Sequence, residues 1–170
     1  MPRADSPRLK WLFFGIIVPL VVVADQITKA WIRGYPIGST IFQRGFFRIV
    51  HIENPGAAFG LFQSHSTTLM VIDFVAVALI LAYFIFIHKR FSLFQSSFGW
   101  VALSLIFAGT TGNLIDRLNA SVSGITDFVY IGPWPAFNVA DSSISVGVVL
   151  LALTILFAQE KPRKTDSVQP

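Results

Sequence analysis

The sequence predicts an all-α membrane protein with four transmembrane helices, and three observations carry that prediction. Mean hydropathy is +0.66, and 54% of the 170 residues are hydrophobic against 13% charged. A soluble surface takes about 25% charge. The apolar residues gather into four long runs. The basic residues stand at the ends of those runs: Arg3, Arg8 and Lys10, then Lys89 and Arg90, then Lys161, Arg163 and Lys164. Such placement suits loops beside anionic lipid. A nucleic-acid surface would instead interleave basic and aromatic residues on one face, so the net charge of +4 points to membrane and no nucleic-acid partner is expected.

Residues 11–24 are uncharged, and their pattern continues past Asp25 and Lys29 to about Ile32. Residues 69–87 carry one charge, Asp73, and residues 98–115 carry none. Residues 144–158 are also uncharged, and this shortest run needs Ser142, Ser143 and Gln159 to reach across. At about 1.5 Å per residue, roughly 18–20 helical residues cover a hydrocarbon core. The first run imitates a secretory signal, with Val22-Val23-Ala24 as a candidate cleavage site. The apolar pattern runs on through Ile27, Ala30, Trp31 and Ile32, which favours an uncleaved anchor.

Placing both termini inside puts eight of the 13 basic residues on inner segments and five, Lys29, Arg33, Arg44, Arg48 and Arg117, on the outer ones. That bias orients the chain. One domain is expected over residues 1–160, with a polar cytoplasmic tail at 161–170. The outer segments are about 34–66 and 117–140. Within the first, residues 44–53 are β-branched and aromatic and read as strand. Asn54-Pro55-Gly56 then turns the chain, and residues 57–62 suit a short interfacial helix. In the second, Gly132-Pro133-Trp134-Pro135 marks a turn between two short extended pieces.

Span parity brings the unusual polar residues to one face. Asp25 and Lys29 end the first span, Asn113, Asp116 and Arg117 end the third, and Asp141 opens the fourth; Asn54, Asp127 and Asn138 lie on the outer segments. Each has an ordinary explanation. Asp141-Ser142-Ser143 reads as an N-cap, Asp25 and Lys29 as a helix pair, Asn113 and Arg117 as a tied helix end, and Asp127 as a solvated carboxylate. Together they weaken those explanations, because Asp116, Asp127 and Asp141 reach one depth near lipid, where ionisable groups are costly and tend to be functional. Two adjacent carboxylates cannot both ionise cheaply, so one holds a proton and the other stays charged, supplying a general acid and a general base. Such a pair activates a water against a peptide carbonyl and protonates the leaving amine. Asp127 and Asp141, separated by the Gly-Pro-Trp-Pro turn, could face each other in this way.

Other chemistries find less support. His51, His65 and His88 lack metal-ligand spacing, so no metal is expected. The chain has no cysteine and no Gly-x-Ser-x-Gly. A serine–lysine dyad would have to use Lys29, the one outer lysine. Asn119-Ala120-Ser121 matches a glycosylation tripeptide, a pattern short enough to recur by chance.

Five motifs, spread over nearly all of residues 11–158, resemble those of the bacterial lipoprotein signal peptidases (signal peptidase II). They are Asp25-Gln26-Ile27-Thr28-Lys29, the run Asn54-Pro55-Gly56-Ala57-Ala58-Phe59-Gly60, Gly112-Asn113-Leu114-Ile115-Asp116-Arg117, Ile125-Thr126-Asp127-Phe128 and Phe137-Asn138-Val139-Ala140-Asp141-Ser142. The resemblance implies an aspartyl endopeptidase of the bacterial inner membrane. Such an enzyme removes the signal peptide from diacylglyceryl-modified prolipoproteins, cutting before the lipidated cysteine. It implies Asp127 and Asp141 as the catalytic pair, no cofactor, and support from Asp25, Lys29, Asn54, Gly56, Asn113, Arg117 and Asn138. Asp116 becomes structural, paired with a nearby cation, and Asn54 or Arg117 orients the substrate backbone. The resemblance also adds a small outer β-cradle, corresponding to about 37–53 and the strands around Asp127, and a monomer in membrane lipid is expected.

Some features depart from the family pattern. Gly109-Thr110-Thr111-Gly112 stands for a more usual Gly-Gly-Ala-x-Gly, Thr126 for an apolar residue, and the gap from Asp127 to Asp141 is short. Asp73 matches no family residue; it either faces the outer cavity or snorkels. The rival from another class is a small proton-coupled carrier using the same acids as a relay, although its acids would belong nearer the midplane. A purely structural membrane subunit would leave the pairing of Asp127 and Asp141 without a purpose.

Overall fold

The computed structural model describes residues 7–55, 66–88 and 96–158. In chain order these form α1 (Pro7–Ile32), β1 (Thr40–Arg44), β2 (Phe47–Asn54), α2 (Ser66–Ala82), α3 (Ser97–Leu118), β3 (Ile125–Ile131) and α4 (Val139–Ala158). A π-helical turn, Tyr83–Ile87, prolongs α2. All four helices are long and apolar enough to cross a membrane. Gly56, the interfacial helix expected at 57–62 and the tail at 161–170 lie outside the described residues.

Helix α1 shows how sequence becomes position. Leu12, Ile16, Leu20, Val23, Ile27 and Trp31 recur every three or four residues and are exposed, whereas Asp25, Lys29 and Ile32 are fully buried. The apolar stripe faces outward and the polar residues face inward, the reverse of a soluble helix and the arrangement hydrocarbon demands. The helix continues without a break through Val22-Val23-Ala24.

Helix α3 packs against the other three helices and is the most buried of them. Small residues on both helices let α3 and α4 approach closely. A methyl group on Gly109 would stand 2.4 Å from the Ala140 carbonyl oxygen, and one on Gly147 would stand 2.8 Å from that of Ala102. Ser143 Oγ donates across the seam to Leu105 O at 2.8 Å. Small residues and interhelical hydrogen bonds join helices where lipid removes the hydrophobic drive. At one end of the bundle Trp11, Phe14, Phe84 and Trp100 form an aromatic cluster, with Phe14–Phe84 and Phe84–Trp100 centroids 4.6 and 4.8 Å apart.

The opposite end carries a three-stranded antiparallel sheet in the order β1-β2-β3. The extended piece expected at 44–53 is interrupted: Arg44 closes β1, and β2 starts at Phe47. Gly45 causes this, because its φ of 60° is open to glycine and turns the chain back tightly. Strand β2 pairs with β3 so that Ile52 lies opposite Asp127 and Asn54 opposite Ile125. Beyond the Gly132 turn, Phe137 bridges back to Val129, as the Gly-Pro-Trp-Pro signal predicts. Within β3, residues Ile125 to Phe128 are all buried, which brings Asp127 against the helix ends.

Helix α4 begins at Val139, five residues ahead of its apolar run, so the acid and serines at its start are helical. The N-cap expected of Asp141 belongs instead to Asn138. Asn138 Oδ1 accepts from Asp141 N at 2.8 Å, while Asp141 Oδ2 accepts from Asn138 N at 3.2 Å. This is a reciprocal capping box, and it places the carboxylate at the third residue of the helix, within its first turn.

Candidate active site

A charge network with Asp25, Lys29 and Asp116 buried and Arg33 at its edge underlies the site. Asp25 and Lys29 stand four residues apart on α1, on the face turned toward α3, and Arg33 follows at the same spacing just past the helix end. Lys29 Nζ donates to Asp25 Oδ2 at 2.8 Å, to Asp116 Oδ2 at 3.0 Å and to Asn113 Oδ1 at 3.0 Å, which uses all three of its protons. Arg33 Nη2 meets Asp116 Oδ1 at 2.7 Å, and its Nε donates to Thr126 Oγ1 at 2.7 Å. Thr126 N donates to Asp116 Oδ2 at 3.2 Å, and Ala140 N at the start of α4 donates to Asp25 Oδ1 at 2.9 Å. Two anions thus face two cations with their hydrogen bonds satisfied, the condition under which buried charge is tolerated. Gly112 makes room, since a methyl group there would lie 2.6 Å from Asp25 Oδ2.

Above this base Asp127 and Asp141 share a cleft of about 600 Å³ with Asn54, Asn113, Asp73 and Arg117. Asp127 is held on both oxygens, by Asn138 Nδ2 at 2.8 Å and Asn54 Nδ2 at 3.0 Å. Asp141 Oδ1 accepts from Asn113 Nδ2 at 2.8 Å. Asn113 cannot flip without loss, because its own oxygen takes Lys29 Nζ and, at 3.2 Å, Asn138 Nδ2. Asn138 is therefore common to both carboxylates, touching Asp127 through its side chain and Asp141 through its backbone. Burial, together with the nearby Asp141 carboxylate, pushes the Asp127 carboxyl up to about 7, against the two asparagine hydrogen bonds and the Lys29 charge that favour its ionised form.

Most of the expected site residues converge here. Asp25, Lys29, Asn113 and Asn138 join one network with the two candidate acids, and Asp116 takes the cationic partners expected of it. Asn54 contacts Asp127 directly. Two readings change. Lys29 spends its protons on two carboxylates and an amide, which removes it from a serine–lysine dyad. Asn113 and Arg117 do not tie one helix end together: Asn113 turns to Asp141, while Arg117 ion-pairs with Asp73 on α2. Asp73 itself faces the cleft. His51 lies in the sheet, its Nδ1 2.7 Å from Tyr35 O, and His88 packs edge-on to Trp100 in the aromatic cluster.

Sequence reasoning missed Gln26, Arg33 and Thr126. Gln26 Nε2 touches Asp25 Oδ2 and Gly112 O, each at 3.1 Å, and Asp116 Oδ1 at 3.4 Å. Arg33 carried a legible signal, for it continues the four-residue stripe of Asp25 and Lys29. Thr126 carried none, because its role depends on a strand edge meeting α1.

The fold and site define a polytopic membrane protein with a buried acid–amide cluster where the helix ends meet a small sheet. The chain belongs to the signal peptidase II family, whose model, described as "Signal peptidase (SPase) II", matches residues 17–157. It is 41% identical over 143 residues to a lipoprotein signal peptidase of Dehalococcoides mccartyi, covering 84% of this chain and 88% of that one. Similarity extends to the lipoprotein signal peptidase of Desulforapulum autotrophicum, 38% identical over 151 residues, covering 84% of this chain and 90% of that one. A bacterial membrane enzyme solved by the in meso method superposes with a TM-score of 0.76 at 30% identity, over 90% of this chain and 93% of that one.

Proposed function

We propose that this chain is an aspartyl endopeptidase of the bacterial inner membrane. It removes the signal peptide from diacylglyceryl-modified prolipoproteins by cutting before the lipidated cysteine. The observation that carries the reading is the sharing of one cleft by Asp127 and Asp141, joined through Asn138. In this reading both termini are cytoplasmic, the sheet and cleft lie at the outer face, and the enzyme works as a monomer. The diacylglyceryl chains stay in lipid, where each buried CH₂ contributes roughly 0.8 kcal/mol.

The two acids take different roles. Asp141 sits in the first turn of α4, where the helix dipole and the Asn138 backbone N–H favour an anion. It is the general base. Asp127, raised to about 7 by burial and by its neighbour, keeps a proton and is the general acid. The water oxygen attacks the scissile carbonyl carbon as one water proton passes to Asp141. Asp127 gives its proton to the carbonyl oxygen, forming a gem-diol. Asp141 then protonates the amide nitrogen, the C–N bond breaks, and Asp127 recovers a proton from the diol. Asn54, Asn113 and Asn138 hold the carboxylates in register throughout.

The test is cleavage of a diacylglyceryl-modified prolipoprotein by purified protein in lipid nanodiscs, comparing wild type with Asp127→Asn and Asp141→Asn. Each folded variant should lose at least about a hundredfold in rate, the usual scale of general acid–base catalysis. Retained cleavage in either folded variant removes that carboxylate from the mechanism. A wild-type protein inert toward this substrate removes the peptidase reading.

A further inference from the structure

Asp73 is the only ionisable side chain in α2, Ser66–Ala82. A carboxylate in an otherwise apolar span is expensive unless a partner stands beside it. The partner is Arg117, in the last turn of α3, and the two side chains are only 19% and 10% exposed. Both line the cleft that holds Asp127 and Asp141. The neighbouring acid on α3, Asp116, is already committed to Lys29 and Arg33. Among the described residues, the remaining carboxylates on the cleft wall are therefore Asp127 and Asp141 themselves.

We propose that Asp73 is a positioning residue for the peptidase reaction: its carboxylate holds the Arg117 guanidinium off the Asp127–Asp141 pair and presents its free donors to the substrate strand. The proposal rests on the peptidase reading above. A guanidinium has five N–H donors in one plane, and the pair with Asp73 engages Nη1, leaving the others to meet backbone carbonyl oxygens of an extended substrate. Without Asp73 the same cation is drawn to the catalytic acids. It then favours ionisation of both and removes the proton that Asp127 must donate. The charges around Asp127 come from all four helices: Lys29 from α1, Asp73 from α2, Arg117 from α3 and Asp141 from α4, with neutral Asn54 facing it from β2. Among these Asp73 is the group whose loss frees a cation.

The experiment measures kcat and KM across pH for wild type, Asp73→Asn and Asp73→Glu, in nanodiscs, on the same prolipoprotein, with melting temperatures alongside. Asp73→Asn should raise KM roughly tenfold, as for a lost charge-assisted hydrogen bond. It should also move the alkaline limb of kcat/KM down by about one pH unit or more. Asp73→Glu should restore both. A folded Asp73→Asn with wild-type KM and an unmoved limb overturns the proposal, as does activity that falls only in step with the folded fraction. If Asp73→Asn does not fold, the double variant Asp73→Ala with Arg117→Ala, which leaves no unpaired charge, is read instead. The proposal then requires a raised KM with an unmoved limb, and a moved limb overturns it. Failure of wild type to cleave strikes the peptidase reading itself and is seen before any Asp73 variant is compared.

Discussion

At the scale of single residues the site works through asymmetry between two like groups. Asp127 and Asp141 are the same side chain, yet one lies on a buried strand and the other in a helix's first turn. In the proposed mechanism, with Asp127 raised to about 7, cleavage should decline above that pH as this acid loses its proton, a limb to be read from the pH dependence of kcat/KM. The same group affects stability. Its folded pKa lies above the ordinary 3.8, so between about 4 and 7 the folded state binds more protons than the unfolded state, and stability falls as pH rises. Asp127→Asn removes that penalty. Its melting temperature should exceed wild type at pH 8 and approach it at pH 4, measured in one detergent.

At the scale of elements the start of α4 joins fold to chemistry. Asn138 closes the helix through the capping box and bonds Asp127 with its side-chain amide. Asn138→Ala should therefore cost about 1 kcal/mol through the lost cap, seen as a lower melting temperature, together with a fall in kcat beyond what lost folded protein explains. The capping box was only half legible. Asp141-Ser142-Ser143 before an apolar run resembles a cap, but the residue that performs it lies three positions earlier, where Phe137 bridges to β3 and stops the helix from extending further back. The hairpin was half legible for a similar reason: residues 44–53 have strand composition, while the left-handed turn at Gly45 divides them.

At the scale of the whole molecule, Lys29 is the residue on which the buried network depends. Lys29→Met would leave Asp25 without its ammonium partner and Asp116 with Arg33 as its one remaining cation among the described residues. Removing one partner of a buried ion pair costs about 3–5 kcal/mol, so this variant should lose its cooperative melt in detergent, while Lys29→Arg keeps some of it. The four spans were legible because hydrocarbon imposes length and apolarity on each segment independently of its neighbours. The common depth of the polar residues was legible too, since span parity assigns each loop to one face. The resemblance of five motifs then pointed to the family. What the sequence could not determine was azimuth, the direction in which each polar side chain leaves its helix and what it meets there. Parity brings Asp25, Asn113, Asp116, Asp127 and Asp141 to one end of the bundle. Only the close seam of α3 with α4, and the strand laid across the helix ends, sorts them into a paired base of charges and a separate cleft. Arg33 on Asp116 and Asp73 on Arg117 emerged at that last step, because such pairs depend on distances between elements far apart in the chain.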